Sequence, residues 1–300
     1  MKAIEIFRKV LMVIAISAVG FVVSCSDQNI GLQQETALVT DDAITDYYFE
    51  DADDIAGVVM LADEGTATGG RVAGDRPVSS NDHRFKCPGV EIIIKISTES
   101  TNLIPRGTII IDFGDGCVDD AGNERKGKIV INFVGVRFMP GSKVVIHFED
   151  YFINGIQLKG ERVLTNISGS LANAPKFRVE LKGGMAIWPD GTEATREHCF
   201  IREWVRSADN PTFEAIVVDQ CPDEDFAAKG VNRRGREYRV LIIEPLVYKR
   251  GCPIAVKGVK QYIDVASGKV ITINYGDGRC DRTITITVEG NTRSVDVKKG

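Results

Sequence analysis

Aspartates cluster around a Gly-Asp-Gly sequence that the chain contains twice, in "IIIDFGDGCVDD" (residues 109–120) and "ITINYGDGRCDR" (residues 271–282). The calcium candidates in the first copy are Asp112, Asp115, Asp119 and Asp120. Carboxylate oxygens suit Ca²⁺, but the spacing of an EF-hand is absent, and in the second copy Asn274 replaces the leading aspartate. Gly-Asp-Gly also makes tight turns and bulges without any ligand. We favour the structural interpretation, with no metal. Calcium binding would require Asp112, Asp115 and Asp119 to converge.

The N-terminal sequence "MKAIEIFRKVLMVIAISAVGFVVSC" has a short basic segment, an apolar run from Val10 to Val23, and then a cysteine. The run is shorter than the roughly 20 apolar residues of a membrane-spanning helix, and it is typical of a secretory signal peptide. "VVSC" resembles the lipobox of bacterial lipoproteins. The resemblance implies a signal peptide of residues 1–24 and acylation of Cys25, for example with palmitate, which anchors the chain in a membrane. Ser26 favours the outer membrane and leaves the leaflet undecided.

The remaining six cysteines are Cys87, Cys117, Cys199, Cys221, Cys252 and Cys280. An even number in an exported chain predicts disulfides, whereas zinc is disfavoured because the chain has no Cys-x-x-Cys pair. The midpoints of consecutive pairs, Asn102, Asn210 and Ala266, lie in or beside turn signals, with β-type runs on either side. An antiparallel hairpin brings its two ends within disulfide range, so we expect consecutive pairing.

The first and third hairpins belong to a duplicated module. Both copies begin with Cys-Pro, end with Gly-Asp-Gly and a cysteine, and lead into a further β-type run, "GKIVINFVG" or "TITITVEG". This pattern indicates an internal duplication, with related modules near residues 87–135 and 252–290.

Between the anchor and the first module the sequence changes character. Apolar residues recur at helical spacing over residues 40–62, which predicts one amphipathic helix with a solvated acidic face. Residues 63–84 lack periodicity and are predicted to be a linker. Residues 25–84 would then comprise the lipid anchor, the helix and the linker.

Residues 85–300 are predicted to form an antiparallel β domain. Asn154-Gly155 is a strong hairpin signal, and the meander is expected to continue through turns at Gly183-Gly184 and Pro189-Asp190-Gly191. On the order of a dozen strands is too many for one flat sheet. We expect a mainly β fold, either an antiparallel meander or sandwich or a partly closed barrel, with one N-terminal amphipathic helix.

Catalytic motifs are missing from the sequence, which has no Gly-x-Ser-x-Gly, phosphate loop or His-Glu-x-x-His. His147 alternates within a strand and is expected to be packed or paired. The aromatic residues Trp188, Trp204, Tyr151 and Tyr248 either form a sugar-stacking face or pack in the core. The net charge of −5 argues against a nucleic-acid partner.

Together, the lipobox, the helical segment, "IIIDFGDGC", "FIREW" and "ITINYGDGRCDRTITITVEG" resemble a group of uncharacterised Bacteroidetes lipoproteins. The resemblance implies a location in the cell envelope and carries over no catalytic or binding residues. We therefore expect an outer-membrane protein, anchored by its N-terminal lipid, that acts as a binding or structural module with a glycan or protein ligand and is not an enzyme. The alternatives are a calcium-stabilised adhesion protein and an envelope hydrolase, in which His147 or a carboxylate pair would meet a partner in a pocket.

Overall fold

The computed structural model describes residues 45–60, 74–171, 174–206, 213–249, 252 and 254–296. The expected signal peptide, Cys25, residues 40–44 and 61–62 of the expected helix and residues 63–73 of the expected linker lie outside this part of the chain. The described residues belong to one compact unit. Within them, no helix is both long enough and apolar enough to span a membrane.

One helix, α1 (residues 45–60), precedes a mainly β structure. The described strands are β1 (Gly74–Pro77), β2 (Glu91–Ile96), β3 (Arg106–Asp112), β4 (Cys117–Val118), β5 (Glu124–Val134), β6 (Lys143–Ile153), β7 (Ile156–Asn166), β8 (Lys176–Ile187), β9 (Glu193–Arg206), β10 (Phe213–Gln220), β11 (Ala228–Val231), β12 (Glu237–Lys249), β13 (Lys257–Asp264), β14 (Val270–Asp277), β15 (Thr283–Val288) and β16 (Asn291–Asp296).

All sixteen strands belong to one antiparallel sheet in which nearly every strand pairs with its neighbours in sequence. β4 adds a short pairing to β5, and the outermost strands on the main path are β1 and β16. The mainly β prediction is confirmed in the form of the meander. Asn154-Gly155 forms the tight turn between β6 and β7, and both residues have positive φ, as such a two-residue hairpin requires.

Apolar alternation explains why the first half of the sheet forms. Ile94, Ile109, Ile131 and Ile146 are paired in a row across β2, β3, β5 and β6, and all four are fully buried. Branched side chains on alternate positions give each strand one apolar face. That face packs against α1, whose Ile55 lies in the same hydrophobic cluster.

A line of β-bulges crosses the middle of the sheet. The pairing register shifts at Gly127 between β5 and β6, after His147 between β6 and β7, at Gly160 between β7 and β8, and at Gly183-Gly184 between β8 and β9. A Cβ at Gly160 would lie 2.8 Å from the Cα of Gly184, so the strands approach too closely for a side chain. The predicted turn at Gly183-Gly184 is therefore wrong: these glycines form a bulge inside β8. Bulges bend strands and increase their twist, which lets a long sheet curl.

The three cysteine pairs predicted from spacing are present. Cys87–Cys117, Cys199–Cys221 and Cys252–Cys280 have Cα separations of 5.7, 5.5 and 5.4 Å. The middle pair also holds an interruption in the sheet. β10 and β11 both lie between β9 and β12, one after the other along those strands. The segment from Cys221 to Ala227 forms the loop that connects β10 to β11. Cys199 lies inside β9, beside that loop.

Two predictions about the N-terminal region need correction. The acidic face of α1 is not solvated, because Asp51 and Asp53 are buried against the sheet. The predicted linker also contains structure: β1 extends the sheet edge beside β2, and a 3-10 turn (His83–Phe85) buries Arg84. In the helix and in the 3-10 turn, charged residues that look solvated in sequence are buried by pairing with opposite charges.

Replacing Cys199 and Cys221 together by alanine is expected to lower the free energy of unfolding by about 3 kcal/mol. This is the chain-entropy estimate for a closed loop of this length, before any native-state strain is counted. The two cysteines are 22 residues apart and both are buried. Urea unfolding of the oxidised double variant beside the wild-type protein measures the difference. An unchanged unfolding free energy would show that the hydrogen bonds of β9 hold the loop without the disulfide.

Candidate functional site

Five buried arginines meet four carboxylates of α1 at the interface between the helix and the sheet. The arginines are Arg84, Arg125, Arg162, Arg196 and Arg202. Their helix partners are Asp46, Glu50, Asp51 and Asp53. We call these nine residues the helix–sheet ion network. It is the largest concentration of charge inside the described part of the chain.

One part of the network centres on Asp51. Its two carboxylate oxygens accept hydrogen bonds from Arg84 (3.2 Å) and Arg125 (2.6 Å). Arg125 also donates to Asp119 and to the hydroxyl of Tyr151, at 3.2 and 2.8 Å. Burial raises the pKa of the Tyr151 hydroxyl despite the nearby Arg125 guanidinium, so Tyr151 acts here as a neutral acceptor.

A second part joins two carboxylates to two guanidiniums. Arg162 contacts Glu50 and Asp53, each at 2.6 Å, and Arg202 contacts the same two carboxylates from β9. Burial alone would raise the pKa of Glu50, but the guanidiniums of Arg162 and Arg202 lower it to about 2. Burial raises the pKa of Asp53 to about 6, although the Arg162 guanidinium acts to lower it. The negative charge of the neighbouring Glu50 raises the pKa of Asp53 further. The two pKa values differ because hydrogen bonds from both Arg162 and Arg202 lower that of Glu50, whereas the negative charge of Glu50 raises that of Asp53.

The third part lies near the start of α1. Arg196 contacts Asp46 at 3.1 Å, and His198 lies 3.9 Å from the same carboxylate. Burial and the charges of Arg162, Arg196 and Arg202 hold the pKa of His198 well below its ordinary value. His198 is therefore a neutral, packed imidazole at physiological pH, and its ring is tilted by 32° against that of Phe200, with ring centroids 4.5 Å apart.

Three of the four calcium candidates have protein partners, and the four do not form a metal site. Asp112 accepts a hydrogen bond from the backbone N–H of Gly114 and pairs with Lys128 at 2.7 Å. Asp119 accepts from Arg125, as above, and from two backbone amides of its own turn. Asp120 lies 3.8 Å from Lys86. Among the described residues, no group of three or more His, Cys, Asp or Glu side chains could hold a metal ion.

The repeated Gly-Asp-Gly sequence has the same local geometry in both copies. The Asn274 side chain accepts a hydrogen bond from the N–H of Gly276 at 2.8 Å, just as Asp112 accepts from Gly114 at 2.9 Å. Asparagine and aspartate serve equally in such a turn, so a side-chain oxygen is conserved between the two copies while the charge is not. The structural interpretation of the repeat explains this substitution, which a calcium loop would not favour.

A cleft of about 450 Å³ lies between β8, β9, β11 and β12. Its sides carry Met185 and Val265 together with Glu197, Lys229 and Glu237. The Lys229 ammonium lies 3.5 Å from the Glu197 carboxylate and 4.2 Å from the centroid of the Phe226 ring. We call this cavity the β9 cleft. It combines apolar surface with exposed charges of both signs, as small-ligand sites do.

Glycines give the β9 cleft its shape. A Cβ at Gly230 would lie 1.9 Å from the carbonyl oxygen of Thr195, and one at Gly184 would lie 2.5 Å from that of Arg196. The backbones of β8, β9 and β11 therefore meet without intervening side chains, which leaves a depression beside them. Sequence reasoning did not identify this cleft, because its glycines are far apart in the chain and resemble ordinary turn residues.

The four aromatic residues do not form one continuous patch. Trp204 and Tyr248 lie in one row across the sheet, because Ile216 on β10 is the register partner of both. Tyr151 is buried and stacked on Phe148, and Trp204 packs edge-on against Phe138. Trp188 lies in the turn between β8 and β9, at the opposite end of β9 from Trp204. Core packing is therefore the correct interpretation for Tyr151, and Trp188 and Trp204 are partly buried against the same hydrophobic cluster.

His147 lies on a half-exposed face of β6 and outside the β9 cleft. Its Nδ1 is 3.8 Å from Glu161 on β7, its register partner. The hydrolase hypothesis requires His147 to meet a partner in a pocket, and this position does not provide one.

Comparisons of the chain with protein-family models, with curated proteins and with solved structures found no match. The site is therefore interpreted from its own geometry.

Replacing Glu50 by glutamine is expected to destabilise the protein by about 2–3 kcal/mol at pH 7. This is somewhat less than the roughly 3–5 kcal/mol of a fully buried pair, because Glu50 is partly exposed. The native pKa of about 2 lies below the ordinary 4.5, so the unfolded chain takes up the proton first as the pH falls. The stability difference between wild type and variant should thus be complete above pH 4.5 and disappear as the pH approaches 2.

Thermal unfolding from pH 7 to pH 2 measures this difference. Asp54, which is exposed on the same helix, provides the control: Asp54→Asn should not lower the melting temperature at pH 7. A Glu50→Gln variant as stable as wild type at pH 7 would mean that the arginines are satisfied without it.

Proposed function

We propose that the protein is a lipid-anchored module of the cell envelope that binds a glycan in the β9 cleft. The observation that carries the binding function is the cleft itself, an open cavity of about 450 Å³ with charged and apolar walls on a rigid sheet. Sites on rigid strands hold ligand-binding groups more precisely than sites on loops. A glycan suits the site because its hydroxyls can bond to the Lys229, Glu197 and Glu237 side chains while its ring faces pack on Met185 and Val265.

The location in the envelope is supported by two independent features. Three disulfides within local hairpins favour an oxidising compartment, since cytosolic thiols are kept reduced. The sequence ending in Cys25 resembles a lipobox and supplies an anchor that the folded part does not need to provide. We place the protein in the outer membrane on the basis of Ser26, with the leaflet left open.

Replacing Cys25 by serine is expected to abolish lipidation. In a Gram-negative host the wild-type protein should incorporate radiolabelled palmitate and sediment with membranes, while the variant should remain unlabelled. The control is Ser24→Ala, which keeps the acylated thiol and leaves a small residue before the cleavage site. Equal label in Cys25→Ser and wild type would exclude the anchor.

Replacing Lys229 by methionine is expected to weaken glycan binding by about tenfold, the effect of losing one good charged hydrogen bond from a site. The protein would be applied to an array of neutral and acidic oligosaccharides, and the best-bound oligosaccharide would then be titrated by calorimetry. Lys126→Met is the matched control, because Lys126 is exposed on β5 and away from the cleft. Absence of binding across the array, or equal loss in both variants, would contradict glycan recognition by this cleft.

A further inference from the structure

Large apolar side chains are exposed at one end of the sheet. Leu103, Ile104, Met139, Ile167 and Leu171 are 81%, 49%, 37%, 45% and 62% exposed. They account for five of the ten large hydrophobic residues that are exposed in the described part of the chain. Single exposed apolar residues are normal on soluble proteins. A concentration of them in three loops needs a separate explanation.

The three loops lie side by side. They follow β2, β5 and β7, and because neighbouring strands alternate in direction, these loops lie at the same end of the sheet. Hydrogen bonds join them directly: the N–H of Gly135 donates to the carbonyl of Pro105 at 2.7 Å, and the N–H of Gly141 donates to that of Asn166 at 2.9 Å. We call residues 97–106, 135–143 and 167–176, less the two undescribed positions 172–173, the apolar end.

The apolar end is basic although the whole chain is acidic. It contains Arg106, Arg137, Lys143 and Lys176 and a single acidic residue, Glu99, whereas the chain as a whole has a net charge of −5. Of these cations, Lys176 is paired with Glu203 of β9 at 2.8 Å. Arg106 and Lys143 are exposed at the ends of strands directly behind the apolar loops. The apolar side chains at the loop tips can contact acyl chains, and the cations behind them can contact anionic headgroups. The apolar end therefore matches the two layers of a bilayer surface.

The position of α1 permits this contact with a lipid-anchored chain. The first turn of α1 lies at the far end of the sheet, where the Tyr48 hydroxyl accepts from Asn154, and its last turns lie near Arg137 of the apolar end. Residues 25–45 can span up to about 70 Å when extended. A strand of eleven residues such as β6 is only about 36 Å long. An acylated Cys25 can therefore reach a membrane that the apolar end touches.

We propose that the apolar end docks the folded unit onto an anionic lipid bilayer, with Leu103 and Leu171 inserted among the headgroups. The proposal rests on the proposed membrane location, but it does not require the acyl chains. Docking would hold the sheet upright on the membrane, with the strands directed away from it and the turn at Asn154 farthest from the surface.

The experiment uses residues 26–300, which contain the whole compact unit and lack the acylated cysteine. The oxidised protein is mixed with vesicles of phosphatidylethanolamine and phosphatidylglycerol in equal amounts and sedimented. Wild type should bind, and Leu103→Asn/Leu171→Asn should partition at least about tenfold more weakly, because two apolar side chains are lost from the interface. The matched control is Val118→Asn/Ile243→Asn, two exposed apolar residues outside the apolar end, which should bind as wild type does.

A positional readout separates insertion from general stickiness. Tryptophan emission of Leu103→Trp should shift to the blue when vesicles are added, and that of Val118→Trp should not.

Failure of wild type to bind these vesicles, or equal loss in both double variants, would overturn docking while leaving acylation of Cys25 intact. A wild-type dimer in sedimentation velocity that Leu103→Asn/Leu171→Asn makes monomeric would assign the surface to a second copy of the chain instead.

Discussion

The helix–sheet ion network is the interaction on which the rest of the structure depends. A guanidinium buried in the concave face of a sheet is strongly destabilising unless a carboxylate meets it, since breaking one such pair costs about 3–5 kcal/mol. Here α1 supplies the carboxylates. Asp46, Glu50 and Asp53 recur at helical spacing and face β7 and β9, while Asp51 points towards β5 and the 3-10 turn. The buried arginines of the sheet therefore have their counter-charges only when α1 is in place. The ion pairs in turn fix how closely α1 packs on the sheet and how it is rotated about its axis.

Accommodating a helix imposes a shape on the sheet. α1 is buried on most of its circumference, so the strands must curl around it instead of lying flat against one side. The bulges across β5 to β9 introduce that bend where the strands are longest. Around and beyond β9 a separate cluster of buried residues, which contains Phe200, Val218 and Leu246, includes no residue of α1. Two of the three disulfides lie in this second part of the sheet, where they restrict the unfolded chain.

The features that sequence reasoning predicted are local ones. The cysteine pairs follow from hairpin geometry, and the Asn154-Gly155 turn follows from backbone preference alone. The ion network was missed because it joins residues between 33 and 152 positions apart, such as Glu50 and Arg162. A signal was present nevertheless. Arg162 lies between Leu158 and Leu164 on the inward positions of β7, and an arginine in an apolar alternation indicates a buried charge that requires a partner.

Perturbed ionisation usually indicates a functional site, and in this protein it indicates a folding constraint. The strongly shifted carboxylates Glu50 and Asp53 belong to the helix–sheet ion network, and the neutral His198 lies beside it, 3.9 Å from Asp46. A group held in this way cannot exchange a proton with a substrate without weakening the attachment of α1. The proposed recognition would therefore use groups outside the network. These are Lys229 and Glu197 of the β9 cleft, which are about half exposed, and the exposed apolar side chains of the apolar end.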